Sequence, residues 1–215
     1  MKEILIYGDS LVYGKMPGSP KRYSREKNFI GVLERELGSE YKIIDEGLRA
    51  RTLGGENGFF PERNGLSQFG PILGSHLPTD LVCIFLGTND CNKADFKEFE
   101  EIPEILIDYK EIIDWWLNSL SIEYKPKVLV IAPPVIRGSE VVKCEGMNKI
   151  FDETSENKSK VLAEIYESFC KKNNCEFFDA SKHCVSADGE GVHLDEKNNE
   201  LLGIDLAEKI KSILN

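Results

Sequence analysis

Ile4-Leu5-Ile6-Tyr7-Gly8-Asp9-Ser10-Leu11 is an apolar run that breaks into a polar turn. Ile, Leu and Tyr in succession read as a short buried strand, and Gly8-Asp9-Ser10 ends it with a turn signal. Ligands of α/β proteins bind outside the carboxyl ends of the strands. A hydroxyl on the turn after a first strand therefore stands where a substrate arrives. Gly8 is expected to take a backbone conformation closed to other residues and so swing Ser10 to the rim. The competing reading is a strand-to-helix turn whose serine caps the helix.

The same strand-and-turn pattern recurs along the chain. Residues 41–45, 80–86, 127–132 and 176–179 read as strands, and 28–37, 65–77, 102–120, 155–173 and 198–214 as helices. The run 80–86 is the most apolar, as expected of a central strand covered on both faces. Pro103 suits the first turn of its helix. Ile105, Ile112, Ile113, Trp116 and Leu120 fall on or near one face of that helix, and both Trp115 and Trp116 are expected in the core. In the next helix Val161, Leu162, Ile165 and Phe169 are expected to face inward. The stretches 12–27, 53–64 and 135–153 lack periodicity and read as loops, and no internal repeat is evident. Alternating strands and helices call for a parallel sheet with helices on both faces. Right-handed crossovers suggest the flavodoxin-like order 2-1-3-4-5. The loops after strands 1, 2, 3 and 5 would then meet at one end of the sheet.

The 215 residues suit one domain over 1–215, and 41% apolar with 30% charged residues is ordinary for a globular protein. A net charge of −10 argues against nucleic acid or an anionic membrane as the main partner. Met1-Lys2-Glu3 runs straight into the first strand without a secretion-type apolar segment, and no run approaches membrane-spanning length. Cys83, Cys91, Cys144, Cys170, Cys175 and Cys184 show no zinc-type spacing. They are expected to be reduced thiols in a cytoplasmic protein. The sequon Asn157-Lys158-Ser159 carries no meaning in that compartment. Gly54-Gly55-Glu56-Asn57-Gly58 lacks the Lys-Ser/Thr pair of a phosphate loop.

The converging loops carry Ser10, Ala50, Asn89 and His193, with Asp188 and Glu190 just before the histidine. A serine nucleophile needs a base, a group that orients the base, and donors aimed at the developing oxyanion. His193 can be the base and Asn89 an amide donor, and the backbone N–H groups of Ser10 and Ala50 can supply the other donors. Asp9 is expected to hold the turn through backbone hydrogen bonds. His76 and His183 read as surface or packing residues.

These segments resemble a known family. Gly8-Asp9-Ser10-Leu11, Gly87-Thr88-Asn89-Asp90 and Gly191-Val192-His193-Leu194 are similar to blocks I, III and V of the SGNH or GDSL hydrolases. Glu46-Gly47-Leu48-Arg49-Ala50-Arg51-Thr52 resembles block II in the branch of arylesterases and acyltransferases related to the mycobacterial perhydrolase. Leu77-Pro78-Thr79-Asp80-Leu81 and the strand 127–132 with Pro133-Pro134 resemble the same branch. The likeness runs over nearly the whole chain, with the blocks in order.

The resemblance implies a three-layer α/β/α fold and ester hydrolysis through an acyl-enzyme, with no metal or cofactor and a small-molecule ester as substrate. Ser10 would be the nucleophile and His193 the base. Ser10, Ala50 and Asn89 would form the oxyanion hole. The family usually places Asp three residues before the histidine, where this chain has Glu190. Glu190 is taken as the acid by position, with Asp188 as the alternative. Acyl transfer to an acceptor other than water is a variant of the same chemistry, and homo-oligomers occur in this branch. A non-catalytic module on the same fold, sensing an acylated ligand, is the competing function. A flavin or nucleotide binder ranks last, for want of a phosphate-cradling loop.

Overall fold

In a strand, successive side chains point to opposite faces, and here both sets are apolar. The computed structural model, which describes residues 1–93 and 101–215, places β1 (Lys2–Gly8) with Ile4 and Ile6 on one face and Leu5 and Tyr7 on the other. The remaining strands are β2 (Tyr41–Gly47), β3 (Leu81–Phe85), β4 (Lys127–Ala132) and β5 (Glu176–Asp179). Their pairing is parallel throughout, in the order β2-β1-β3-β4-β5, as the sequence pattern suggested.

A sheet apolar on both faces needs a layer on each. The helices are α1 (Ser10–Tyr13), α2 (Phe29–Leu37), α3 (Gly65–His76), α4 (Ile102–Ser119), α5 (Gly138–Val141), α6 (Glu153–Asn173) and α7 (Glu196–Leu214). Phe29, Ile30 and Leu33 of α2, with Leu202, Leu206 and Ile210 of α7, cover the Ile4 face. Phe69 and Leu73 of α3, Leu106, Tyr109 and Ile113 of α4, and Leu162 and Tyr166 of α6 cover the other. Side-chain caps set the helix starts. Asn28 accepts from Gly31 N at 3.0 Å, Asn64 from Ser67 N at 3.1 Å and Asp195 from Asn198 N at 2.8 Å.

Several local expectations are corrected. β2 runs two residues beyond position 45, because Glu46 and Gly47 pair with Tyr7 and Gly8. Gly47 permits this: a Cβ there would lie 2.3 Å from Tyr13 N, so the chain after Ser10 packs directly on its backbone. Gly8 has no left-handed φ; its smallness matters instead, since a Cβ would lie 2.2 Å from Val12 Cγ2 and 2.8 Å from Phe85 O. The stretches 12–27 and 135–153 are not wholly irregular, since α1 reaches Tyr13 and α5 lies inside the second. The inward stripe of α4 is Ile102, Leu106, Tyr109, Ile113 and Leu117. Trp115 is 61% exposed and Leu120 46%. Trp115 follows Ile113 by two positions, a rotation of about 200° away from that stripe. Trp116 lies over α3, where Gly74 leaves it room: a Cβ would come within 2.5 Å of its ring. Val161 is also exposed. All six cysteines are free, and no helix among the described residues is long and apolar enough to cross a membrane.

Candidate active site

Ser10 opens α1, and the residue before it builds the turn. Asp9 is wholly buried and accepts from Leu11 N at 2.9 Å, so Asp9 caps this short helix and leaves the Ser10 hydroxyl free for other partners. The loop after β2 is tied to the same point. Leu48 N and the Arg51 guanidinium both donate to Gly8 O, at 3.1 and 2.8 Å. Arg51 also stacks over the Tyr7 ring, 4.1 Å from its centroid.

From the far end of the chain, His193 brings its Nε2 within 2.9 Å of Ser10 Oγ. Its Nδ1 hydrogen-bonds Glu190 Oε1. A carboxylate only accepts, so Nδ1 carries the proton and Nε2 is left to accept from the serine. The longer side chain of Glu190 folds back on its own loop, where Oε2 accepts from Val192 N at 3.0 Å and His193 N at 2.7 Å. Left-handed backbone at Gly189 and Gly191, φ +72° and +83°, makes that fold possible. Asp188 is 92% exposed and ion-paired with Arg137, away from the imidazole. Of the two carboxylates, the structure brings only Glu190 to His193.

The protonation states suit acid–base work. Burial alone would push the Glu190 carboxyl up. The hydrogen bond and charge of His193, the backbone N–H bonds and Lys15 outweigh it and hold the group down at about 2. His193 moves below the ordinary histidine value. Desolvation is the largest cause, and Lys15 and Arg49 add to it against the pull of Glu190. The resting imidazole is therefore neutral at pH 7. If His193 is the base, kcat/KM should fall only as acid protonates the ring, with its acid-side inflection below pH 6.5, the unperturbed histidine value. A pH–rate profile on a neutral ester checks this, and an inflection above that value contradicts it.

The oxyanion donors expected from the sequence share one pocket with Ser10. Asn89, buried on the turn after β3, donates from Nδ2 to Arg51 O at 2.9 Å. Its second amide hydrogen faces only a long contact, 3.4 Å, to Asp9. Ala50 holds a left-handed φ of +66°, a strained conformation for a residue with a side chain. Neither Ser10 N nor Ala50 N has a hydrogen-bond acceptor among the described residues. If Asn89 is an oxyanion donor, Asn89→Ala should lower kcat by about 10²–10³, the usual cost of one such donor. Steady-state kinetics separates the outcomes, because a loss confined to KM would make Asn89 a substrate-binding residue instead.

Two contributors were not singled out in the sequence. Asp90, fully buried, accepts from Leu53 N at 2.9 Å and keys the turn after β3 to the loop after β2. Burial pushes its carboxyl up to about 7. Lys15, 9% exposed, places Nζ 3.6 Å from Glu190 Oε1. The signal for Lys15 was the pair Asp9 and Gly14: a cap at each end of a single turn returns the chain to the pocket one residue later. His76 and His183 sit in part-exposed pairs with Glu46 and Asp205, each at 2.8 Å, outside the site. Among the described residues no three His, Cys, Asp or Glu side chains group closely enough to hold a metal ion.

The pocket over Ser10 has a volume of about 570 Å³, with Phe60, Met147 and Phe151 giving it apolar walls. Residues 6–200 match the GDSL-like lipase/acylhydrolase family. The native aryl esterase of M. smegmatis is 33% identical, with a TM-score of 0.88 over 100% of both chains. A carbohydrate acetylesterase from Sinorhizobium meliloti is 33% identical, with a TM-score of 0.87 over 99% of this chain and 100% of that one. A lipolytic G-D-S-L protein from Veillonella parvula shares the fold at 14% identity, with a TM-score of 0.69 over 98% of this chain and 99% of that one. No curated protein matches the chain.

Proposed function

The chain belongs to the GDSL-like lipase/acylhydrolase family, and on that premise we propose that it is a serine esterase of small acyl esters, working through an acyl-enzyme. The observation that carries this reading is the continuous relay Ser10 Oγ, His193 Nε2, His193 Nδ1 and Glu190 Oε1 at the edge of a pocket. Ser10 Oγ attacks the ester carbonyl carbon and its proton passes to His193 Nε2. The carbonyl oxygen becomes an oxyanion facing Ser10 N, Ala50 N and Asn89 Nδ2. Collapse breaks the bond to the alcohol, which leaves with the proton from His193. A water then gives its proton to His193 and attacks the acyl-enzyme. Collapse releases the acid and returns the proton to Ser10. An alcohol in place of that water makes the reaction an acyl transfer.

The aryl esterase and the carbohydrate acetylesterase among the similar structures support small acyl groups, acetyl above all. The non-catalytic alternative has no need of a buried histidine bonded to both a carboxylate and a serine. A fluorophosphonate probe should label Ser10 at neutral pH, located by peptide mass spectrometry, and the labelled protein should lose 4-nitrophenyl acetate hydrolysis in proportion. Hydrolysis by a protein whose Ser10 stays unlabelled would refute the proposal.

A further inference from the structure

Three cations, Lys15, Arg49 and Arg63, line the pocket over Ser10, and among the described residues no carboxylate does. That is unexpected in a chain with 37 Asp and Glu against 27 Lys and Arg. Elsewhere the surplus acid finds its partners: Arg22, Arg25, Arg35 and Arg137 each form an ion pair. Arg49 and Arg63 form none among the described residues. Arg63 is held by neutral carbonyls, with Nε on Arg49 O at 2.9 Å and Nη1 on Pro61 O and Glu62 O at 3.1 Å. Its Nη2 has no acceptor among the described residues. Arg49 donates no side-chain hydrogen bond among the described residues. Lys15 is compensated only in part, because the one carboxylate paired with it among the described residues, Glu190, already serves His193 and two backbone N–H groups.

An unsatisfied guanidinium fork matches a carboxylate or a phosphate in shape and charge. Apolar walls of Phe60, Met147 and Phe151 lower the local dielectric and strengthen that attraction. We infer that the ester held here carries a carboxylate or phosphate on its acyl or its alcohol half, bound by Arg49 and Arg63 with Lys15 adding to the field. The inference rests on the serine-esterase reading and names the substrate class of that site.

The test uses matched ester pairs at low ionic strength, each normalised to its uncatalysed hydrolysis. 4-Nitrophenyl hemisuccinate against 4-nitrophenyl butyrate places the charge on the acyl half. 4-Acetoxybenzoate against its methyl ester places it on the alcohol half. In at least one pair the charged member should show kcat/KM roughly 10-fold or more above the neutral one, the scale of a charge-assisted hydrogen bond. Raising NaCl should shrink that preference. Arg49→Gln or Arg63→Gln should lower the charged-to-neutral ratio by a similar factor, and Arg49→Lys, which keeps the charge but not the fork, should fall between wild type and Arg49→Gln. Taking the ratio within each variant cancels any general loss of activity. Neutral members hydrolysed as well as charged ones in both pairs would overturn the inference and leave the esterase reading standing. So would a preference unchanged in both glutamine variants. No turnover of any ester, with Ser10 unlabelled by fluorophosphonate, would bring down the esterase reading and this inference with it.

Discussion

Ser10→Ala should lose ester turnover by a factor on the order of 10⁵–10⁶, the scale seen when a serine protease loses its nucleophile. The fold should barely register the change. Asp9, and not Ser10, caps α1, so the helix keeps its start. Among the described residues the Ser10 side chain makes one hydrogen bond, to His193. Losing it costs about 1 kcal/mol, which for a chain of this size lowers Tm by about 2–4 °C. The backbone N–H of residue 10 survives, so the variant should still bind ester. Steady-state hydrolysis of 4-nitrophenyl acetate beside a thermal melt checks both halves. Turnover that persists at the wild-type level in a folded Ser10→Ala protein would refute the serine mechanism.

The second large effect is expected at Glu190. Glu190→Gln should lower kcat by about 10⁴, the cost of an amide at the acid position of a serine protease triad. One amide oxygen cannot replace two carboxylate oxygens here. If that oxygen keeps the Val192 and His193 N–H groups, the NH2 faces His193 Nδ1 and forces the proton onto Nε2, where it blocks acceptance from Ser10. Lys15 would also be left buried without its countercharge. Asp188→Asn, by contrast, alters an exposed side chain paired with Arg137 and should change kcat by less than about 3-fold, as an exposed ion pair contributes under about 1 kcal/mol. Measuring kcat/KM across pH for the pair decides the assignment. A crippled Asp188→Asn with a healthy Glu190→Gln would reverse it, and two active variants would mean that Ser10 and His193 work as a dyad.

Most of what positions this site could be read from the chain because it is short-range. The strands were visible as apolar runs bounded by turn residues. Their order followed from the handedness of crossovers, and the pairing of the strands in the structure matches it. Ser10, Asn89 and His193 lie within a few residues of strand or loop boundaries that composition marks, and Glu190 lies beside the histidine. The misses come from helix faces and from side chains whose partner is distant. On α4, Tyr109 and Leu117 share the buried stripe with Ile113, but Ile105, Ile112 and Trp116 are apolar too, so periodicity alone did not fix the inward direction. Trp115 could not be told from Trp116, because a glycine on another helix makes the room for Trp116. Lys15 sits in a stretch without periodicity, and its closeness to Glu190 spans 175 positions of chain.

Glu190 and His193 also share a mechanical property. Their mutual bonds, side chain to ring and side chain to backbone, all close within four residues, and Arg137 N clamps the same loop through Gly191 O at 2.8 Å. Acid and base therefore travel as one piece. Two contacts join that piece to the opposite end of the chain: Nε2 to Ser10 Oγ at 2.9 Å, 183 positions away in sequence, and Glu190 Oε1 to Lys15 Nζ at 3.6 Å. Loosening of the chain between β5 and α7 would part these two contacts together and silence the serine, with acid and base still bonded to each other.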